Sequence, residues 1–184
     1  GVRQSIGAIN TVFRGEKGEL VGTNTDAAGF FAPIAEDEWA FRDAIVIGAG
    51  GAARAILFAL AQADIGSVTI LARSPLKAAA LLSHFGLKGQ VLKMDARLPP
   101  AELLVNSSPL GMVGQPPLEI DLSPLPDNAV VYDIVYTPLE TRLLAQAREL
   151  GLDTVDGLDM LIGQAAFAFE LFFGQAPPAD CEDE

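Results

Sequence analysis

The chain has 184 residues, half of them hydrophobic, with 18 glycines and a formal net charge of −12. That length suits one well-cored domain plus a small attachment, and the apolar content excludes a disordered chain. The acidic balance argues against nucleic-acid binding, which needs a basic face to neutralise phosphates. An anionic cofactor remains open, because backbone N–H groups and one or two arginines can hold it locally. The single cysteine, Cys181, sits in the polar tail PPADCEDE and makes neither an intrachain disulfide nor a metal cluster. A reducing cytoplasm is therefore the expected compartment. No signal peptide is recognisable, and apolar runs are interrupted before the roughly 18 residues a membrane span needs. The first residue is Gly1 rather than Met, so the sequence reads as a piece of a longer protein.

In chain order, AINTVFR and ELVGTN read as two strands joined by the Gly-bounded turn GEKG. A short helix is expected from Asp26 to about Ala35, followed by the polar turn EDEW. From Ala44 a rhythm sets in. AIVIGAGG is a strand ending in glycines, AARAILFALAQADI a helix, SVTILAR a strand, and SPLKAAALLSHFG a capped helix ending at Gly86. QVLKM and LLVNSSP follow as short strands, and AVVYDIVY as a long buried-type strand. PLETRLLAQARELG reads as a helix with Pro138 at its start and Gly151 at its end. DTVDG is a short strand and DMLIGQAAFAFELFFG a long apolar helix, with Phe167, Phe169, Phe172 and Phe173 expected to form core. Apolar strands alternating with helices predict an α/β fold, a doubly wound parallel sheet covered on both faces, whose ligands bind at the carboxyl ends of the strands. Asp133, a charge in a buried-type strand, is expected to accept hydrogen bonds from a neighbouring turn; His84 is expected at the solvated end of its helix.

GAGGAAR begins directly after a strand and directly before a helix. Gly48, Gly50 and Ala53 fit G-x-G-x-x-G/A, in which glycines allow a tight turn and close approach of a pyrophosphate to the helix N-terminus. The pattern alone is weak, since an ordinary tight turn can carry it. The next strand ends at Arg73, followed by Ser74, with Lys77 one turn on. A carboxylate there would accept from a ribose 2′-OH and repel a 2′-phosphate; an arginine can hold that phosphate through paired charge-assisted bonds. NADP is therefore favoured over NAD. The bland alternative is a solvated Arg73 beside a capping Ser74.

Further strings join this loop: IGAINT, GTNTDAAGF, NSSPLGM, VYDIVYTPLETRLLAQA and GLDMLIGQAAFAFELFFG. In this order and at these spacings they resemble the shikimate dehydrogenase family, over about Ile6 to Gly174. The resemblance implies a substrate domain followed by an NADP-binding Rossmann domain, and reversible hydride transfer between 3-dehydroshikimate with NADPH and shikimate with NADP, a step of chorismate and aromatic amino acid biosynthesis. Carried over by residue, it implies substrate contacts from Asn10, Asp26, Tyr136 and Gln164, with Asp26 paired to a catalytic lysine. It implies a pyrophosphate lined by Gly48, Gly50, Gly51 and Ala52, a 2′-phosphate at Arg73 and Ser74, and a nicotinamide near Ile134, Gly157 and Met160. The family's Asn before the Arg is replaced here by Ala72. Bland alternatives stand beside these roles. Asp26 could cap its helix, Asn10 could be a satisfied strand-edge residue, Tyr136 an ordinary buried tyrosine, and Met160 core. Gln164, polar on an apolar helix, needs some partner.

The family's lysine lies in a Val-Thr-Val-Pro-His-Lys type string before GAINT, and no such string is present. Lys17, Lys77, Lys88 and Lys93 have other contexts. The expected organisation is residues 1–25 as the end of a substrate domain, 26–174 as the NADP-binding domain, and 175–184 as a disordered acidic tail. Alone, this stretch is expected to bind NADP and turn over poorly. Two strands by themselves are marginal, so the hairpin either frays or pairs with a second copy. The rival readings are a quinate/shikimate dehydrogenase using NAD and a non-catalytic nucleotide- or ligand-binding module.

Overall fold

The computed structural model describes residues 6–178. Cys181 and the rest of the tail from residue 179 lie outside the described residues. The first two strands, β1 (Thr11–Arg14) and β2 (Leu20–Thr23), pair antiparallel through the Gly-bounded turn, as the sequence predicts. Helix α1 (Asp26–Phe31) follows and tightens into a 3-10 turn at Ala32–Ile34, where Pro33 cannot supply an N–H.

The rest is a six-stranded parallel sheet. Its strands are β3 (Asp43–Ile47), β4 (Ser67–Leu71), β5 (Gly89–Leu92), β6 (Leu103–Asn106), β7 (Val130–Asp133) and β8 (Asp153–Val155). They lie in the order β5-β4-β3-β6-β7-β8, so the direction of winding reverses between β3 and β6. In an open sheet of this kind, that reversal opens a crevice beyond the strand ends. The fold class read from the sequence is the one observed.

Alternate residues of each strand feed two cores. Val46, Ile70, Val105 and Tyr132 face α1, α2 (Gly51–Gln62), α3 (Pro75–Phe85) and the start of α5 (Gly157–Phe173). Ile45, Ile47, Leu104 and Val131 face α4 (Arg142–Glu149) and the connections on either side of β6. Those connections carry no helix; Pro99–Pro100 and Pro116–Pro117 deny the backbone donors one would need.

Three expectations need correction. The helix expected to start at Pro138 starts at Arg142, because the Thr141 hydroxyl takes up the Leu144 N–H at 3.4 Å and caps it there. The long strand expected over AVVYDIVY stops at Asp133, whose carboxylate accepts the Val135 N–H at 3.1 Å in place of a ladder partner. The phenylalanines of α5 do not form core: Phe167, Phe172 and Phe173 are 40%, 54% and 64% exposed. Only the first turns of α5 lie over the sheet, where Met160 is buried. Its far half runs past α1 into solvent, with the rings of Phe169 and Phe173 tilted against each other, centroids 4.4 Å apart. None of the described helices is long and apolar enough to cross a membrane.

Candidate functional site

The sheet reversal holds a cleft of about 620 Å³. Strand β3 ends at Ile47, and Gly48 turns the chain at φ +107°, where an added Cβ would stand 2.9 Å from Ser107 Oγ. That hydroxyl donates to the Ile47 carbonyl at 2.7 Å, so it cannot swing aside freely. A Cβ on Gly50 or Gly51, by contrast, would meet nothing within 4 Å. The N-terminus of α2, with its unpaired N–H groups, is thus open to close approach by an anion. Arg73, Ser74 and Lys77 line the same cleft. Neither cation forms an ion pair among the described residues. Ser74 occupies the cap position of α3 without a side-chain capping bond, which removes one bland reading of it.

The opposite wall is held by Asn106, to which the sequence reading gave no role, and by Asp133. Asn106 Nδ2 donates to Asp133 Oδ1 at 2.9 Å and to the Leu110 carbonyl at 3.0 Å. Its Oδ1 accepts from the Ser108 N–H at 3.0 Å and hydroxyl at 2.7 Å. Asn106 thereby folds the 107–110 loop that lines the cleft. Asp133 is fully buried and also accepts from Thr141 Oγ1 at 2.7 Å. Burial raises its pKa above the ordinary value, and the three hydrogen bonds from Thr141, Val135 and Asn106 oppose that rise. The expectation that turn residues satisfy Asp133 holds. An asparagine ending a buried strand was the available signal for the wall.

A second polar cluster forms where β1, α1 and α5 meet. Asn10 Nδ2 donates to Asp26 Oδ1 at 2.7 Å and to Thr25 Oγ1 at 3.1 Å. Asn10 Oδ1 accepts from the Thr25 N–H at 2.9 Å, and Thr25 Oγ1 donates to Gln164 Oε1 at 3.1 Å. Asn10, Asp26 and Gln164 are brought together, then, and Thr25, fully buried, joins them unforeseen. Asp26 is not the helix cap. It is the first residue of α1, and its carboxylate turns to Asn10. The close meeting of α1 and α5 depends on Gly29, where a Cβ would lie 2.6 Å from the Gln164 backbone nitrogen. Arg54, on the cofactor-side helix α2, donates through Nε to the Ile6 carbonyl at 2.8 Å and ties down the segment that carries Asn10.

Gly157 abuts the Ile134 carbonyl so closely that a Cβ would overlap it, so Ile134 and Gly157 meet at the end of β7. Met160 is 8% exposed and packs into the core with Phe30 and Tyr132. None of these three lines the Gly48–Arg73 cleft. Tyr136, just beyond the same strand end, is 53% exposed, without a hydrogen bond to the Asn10 cluster. His84 is exposed, its ring edge-on to Phe85 at 4.7 Å. No group of three or more metal-ligating side chains occurs among the described residues.

The chain is 64% identical over 183 residues to the shikimate dehydrogenase (NADP(+)) of Sphingopyxis alaskensis, an alignment covering all of this chain and 67% of that protein. The chain belongs to the shikimate dehydrogenase family. The family model for the shikimate 5′-dehydrogenase C-terminal domain matches residues 157–181. Among solved structures, the Thermus thermophilus shikimate 5-dehydrogenase in complex with NADP(H) and shikimate superposes with a TM-score of 0.79 and 39% identity, covering 94% of this chain and 65% of that one. The ligand-free 5-ketofructose reductase of Gluconobacter sp. strain CHM43 gives 0.85 and 32%, again over 94% and 65%. The chain thus spans about two thirds of the length of the shikimate dehydrogenases it matches.

Proposed function

We propose that this chain carries the NADP site and part of the substrate site of an enzyme that interconverts 3-dehydroshikimate and shikimate by hydride transfer. The observation that carries the reading is the pairing of two sites in one fold. One is an open glycine-lined helix N-terminus faced by Arg73 and Lys77, neither of which forms an ion pair among the described residues; the other is the Asn10–Thr25–Asp26–Gln164 cluster. Bound NADP supplies the hydride donor or acceptor. Gly48, Gly50, Gly51 and Ala52 present the start of α2 to its pyrophosphate, and Arg73, Ser74 and Lys77 take its 2′-phosphate. Ile134, Gly157 and Met160, at the β7–α5 junction, are the proposed nicotinamide side. Asn10, Asp26 and Gln164 hold substrate hydroxyls, with Tyr136 reaching in from beyond the end of β7. A site built to bond hydroxyls rejects analogues lacking them.

A proton must move at the reacting oxygen. No cation pairs with Asp26 among the described residues, and the Val-Thr-Val-Pro-His-Lys type string that carries the family's lysine does not occur in the sequence. We therefore expect binding with little turnover from them alone, in a cytoplasmic setting. The exposed Phe172, Phe173 and Ile162 of α5, with Val12 and Leu20 of the hairpin, suit cover by a substrate domain corresponding to the third of the relatives not spanned here. An NAD-using quinate/shikimate dehydrogenase is disfavoured by the two cations at the cleft rim. A purely nucleotide-binding module is disfavoured by the intact polar cluster.

Calorimetric titration tests the reading. NADP should bind at least about tenfold tighter than NAD, the equivalent of one charge-assisted pair, and shikimate should bind the NADP-loaded chain. Equal affinity for the two dinucleotides would end the cofactor assignment, and silence toward shikimate would end the substrate assignment for this chain.

A further inference from the structure

We propose that Thr25, although fully buried, sets the hydrogen-bond polarity of the substrate cluster, so that Gln164 offers donors and Asp26 an acceptor. The inference deepens the function proposed above and rests on it for the identity of the ligand.

The direction of the Asn10 bonds follows from one backbone group. A side-chain amide can ordinarily be read in either orientation. The Thr25 backbone N–H can only donate, and it lies 2.9 Å from one end of the Asn10 amide. That end is therefore the oxygen, which also accepts from Thr11 Oγ1 at 3.0 Å. The amide nitrogen of Asn10 must face Asp26 Oδ1 at 2.7 Å and Thr25 Oγ1 at 3.1 Å. Having accepted there, the Thr25 hydroxyl has one proton to give. Its nearest remaining acceptor is Gln164 Oε1 at 3.1 Å; Asn10 Oδ1 and Thr11 Oγ1 are each 3.4 Å away. With its oxygen held, Gln164 has only its NH₂ to offer.

Burial makes this device rigid. Thr25 is fully buried, and the Gly29–Gly163 crossing, where a Cβ on Gly163 would stand 3.1 Å from Gly29 Cα, presses Gln164 toward it. The consequence is chemical selectivity. Asp26 has Oδ1 engaged by Asn10 and its other oxygen available, and a carboxylate oxygen accepts only from a group that carries a proton, such as a hydroxyl. Gln164 donates, so it takes any oxygen, hydroxyl or carbonyl. A polyol with hydroxyls on adjacent carbons satisfies both.

The test compares Thr25→Val, which keeps the shape and removes the hydroxyl, with Thr25→Ser, which restores it. In the NADP-loaded protein, Thr25→Val should weaken shikimate binding about tenfold, Thr25→Ser should recover it to within about threefold, and NADP affinity should stay within about twofold in both. Wild-type affinity for shikimate in Thr25→Val would overturn the proposal, as would equal losses in both variants. A readout without ligand separates this from the function itself. The Gln164 side-chain NH₂ should give one well-resolved pair of NMR resonances in the wild type and in Thr25→Ser, and an averaged pair in Thr25→Val. If the wild type ignores shikimate, the functional reading fails, and the amide spectra still decide the polarity. Identical Gln164 resonances in wild type and Thr25→Val would refute it.

Discussion

The two sites are built by opposite means. The dinucleotide cleft is a product of backbone: strand ends, a left-handed Gly48, a helix N-terminus, and a wall folded by Asn106 and Asp133. The polar cluster is a product of side chains from distant parts of the chain, with Thr25 and Gln164 meeting although they stand 139 positions apart. The first stands at the carboxyl end of a sheet packed on both faces. The second stands beside an α5 whose outer half is apolar and exposed. A site made by the main chain tolerates changes in nearby side chains, whereas a site made by one helix crossing depends on that crossing.

Gly29→Val should break the contrast most visibly. It forces α1 from α5 against backbone atoms 2.6 and 2.7 Å away, and overpacking of this kind costs about 3 kcal/mol. Urea unfolding should show the loss, and shikimate affinity should fall much further than NADP affinity. Parallel losses of both ligands would mean that the two sites are one cooperative unit. Arg73→Ala acts from the other side. NADP should weaken by about ten- to a hundredfold, the worth of a charged hydrogen bond, while NAD stays within about twofold. An equal drop for NAD would move Arg73 from the 2′-phosphate to the adenine or the fold.

Asp133→Asn probes the cleft wall through pH. The folded carboxyl has a pKa raised above 3.8, chiefly by burial, so the folded chain keeps its proton to higher pH than the unfolded chain does. Above 3.8 this group makes stability fall as pH rises, until the folded value is passed. Removing it should make the stability of the variant climb more steeply with pH than the wild type in the range just above pH 3.8, whatever the other carboxylates contribute. An unchanged slope in urea melts would show that the three hydrogen bonds fully offset burial. The smallest effect is expected at Tyr132, whose buried hydroxyl has no hydrogen-bond partner among the described residues and whose pKa burial drives upward. Tyr132→Phe should leave both affinities alone and raise stability by up to about 1 kcal/mol, since an unpaired buried hydroxyl carries a desolvation cost. A loss of stability would reveal a partner for that hydroxyl.

The legibility of the two sites followed from the same contrast. Gly48, Arg73 and Ser74 could be placed from local sequence because a strand, a glycine turn and a helix are contiguous. Asp26 could not be separated from a helix cap by local sequence, since both uses put an acid at the start of a helix. The contact with Asn10 separated them. Thr25 escaped notice because threonine before a helix is ordinary. Its importance comes from Gln164, far along the chain. The aromatic end of α5 misled because hydrophobicity reports what must be covered, not what covers it.

By itself the sequence determined the order of elements, the parallel sheet and its glycine turn, because propensity, strand length and turn chemistry act over a few residues. The tertiary structure decided where β7 stops, which residue caps α4, which face of α5 stays open, and which way each amide in the polar cluster points. Those depend on groups brought together by folding, and hydrogen-bond direction is set by whichever partner has no choice: for the Asn10 amide, one backbone N–H at Thr25.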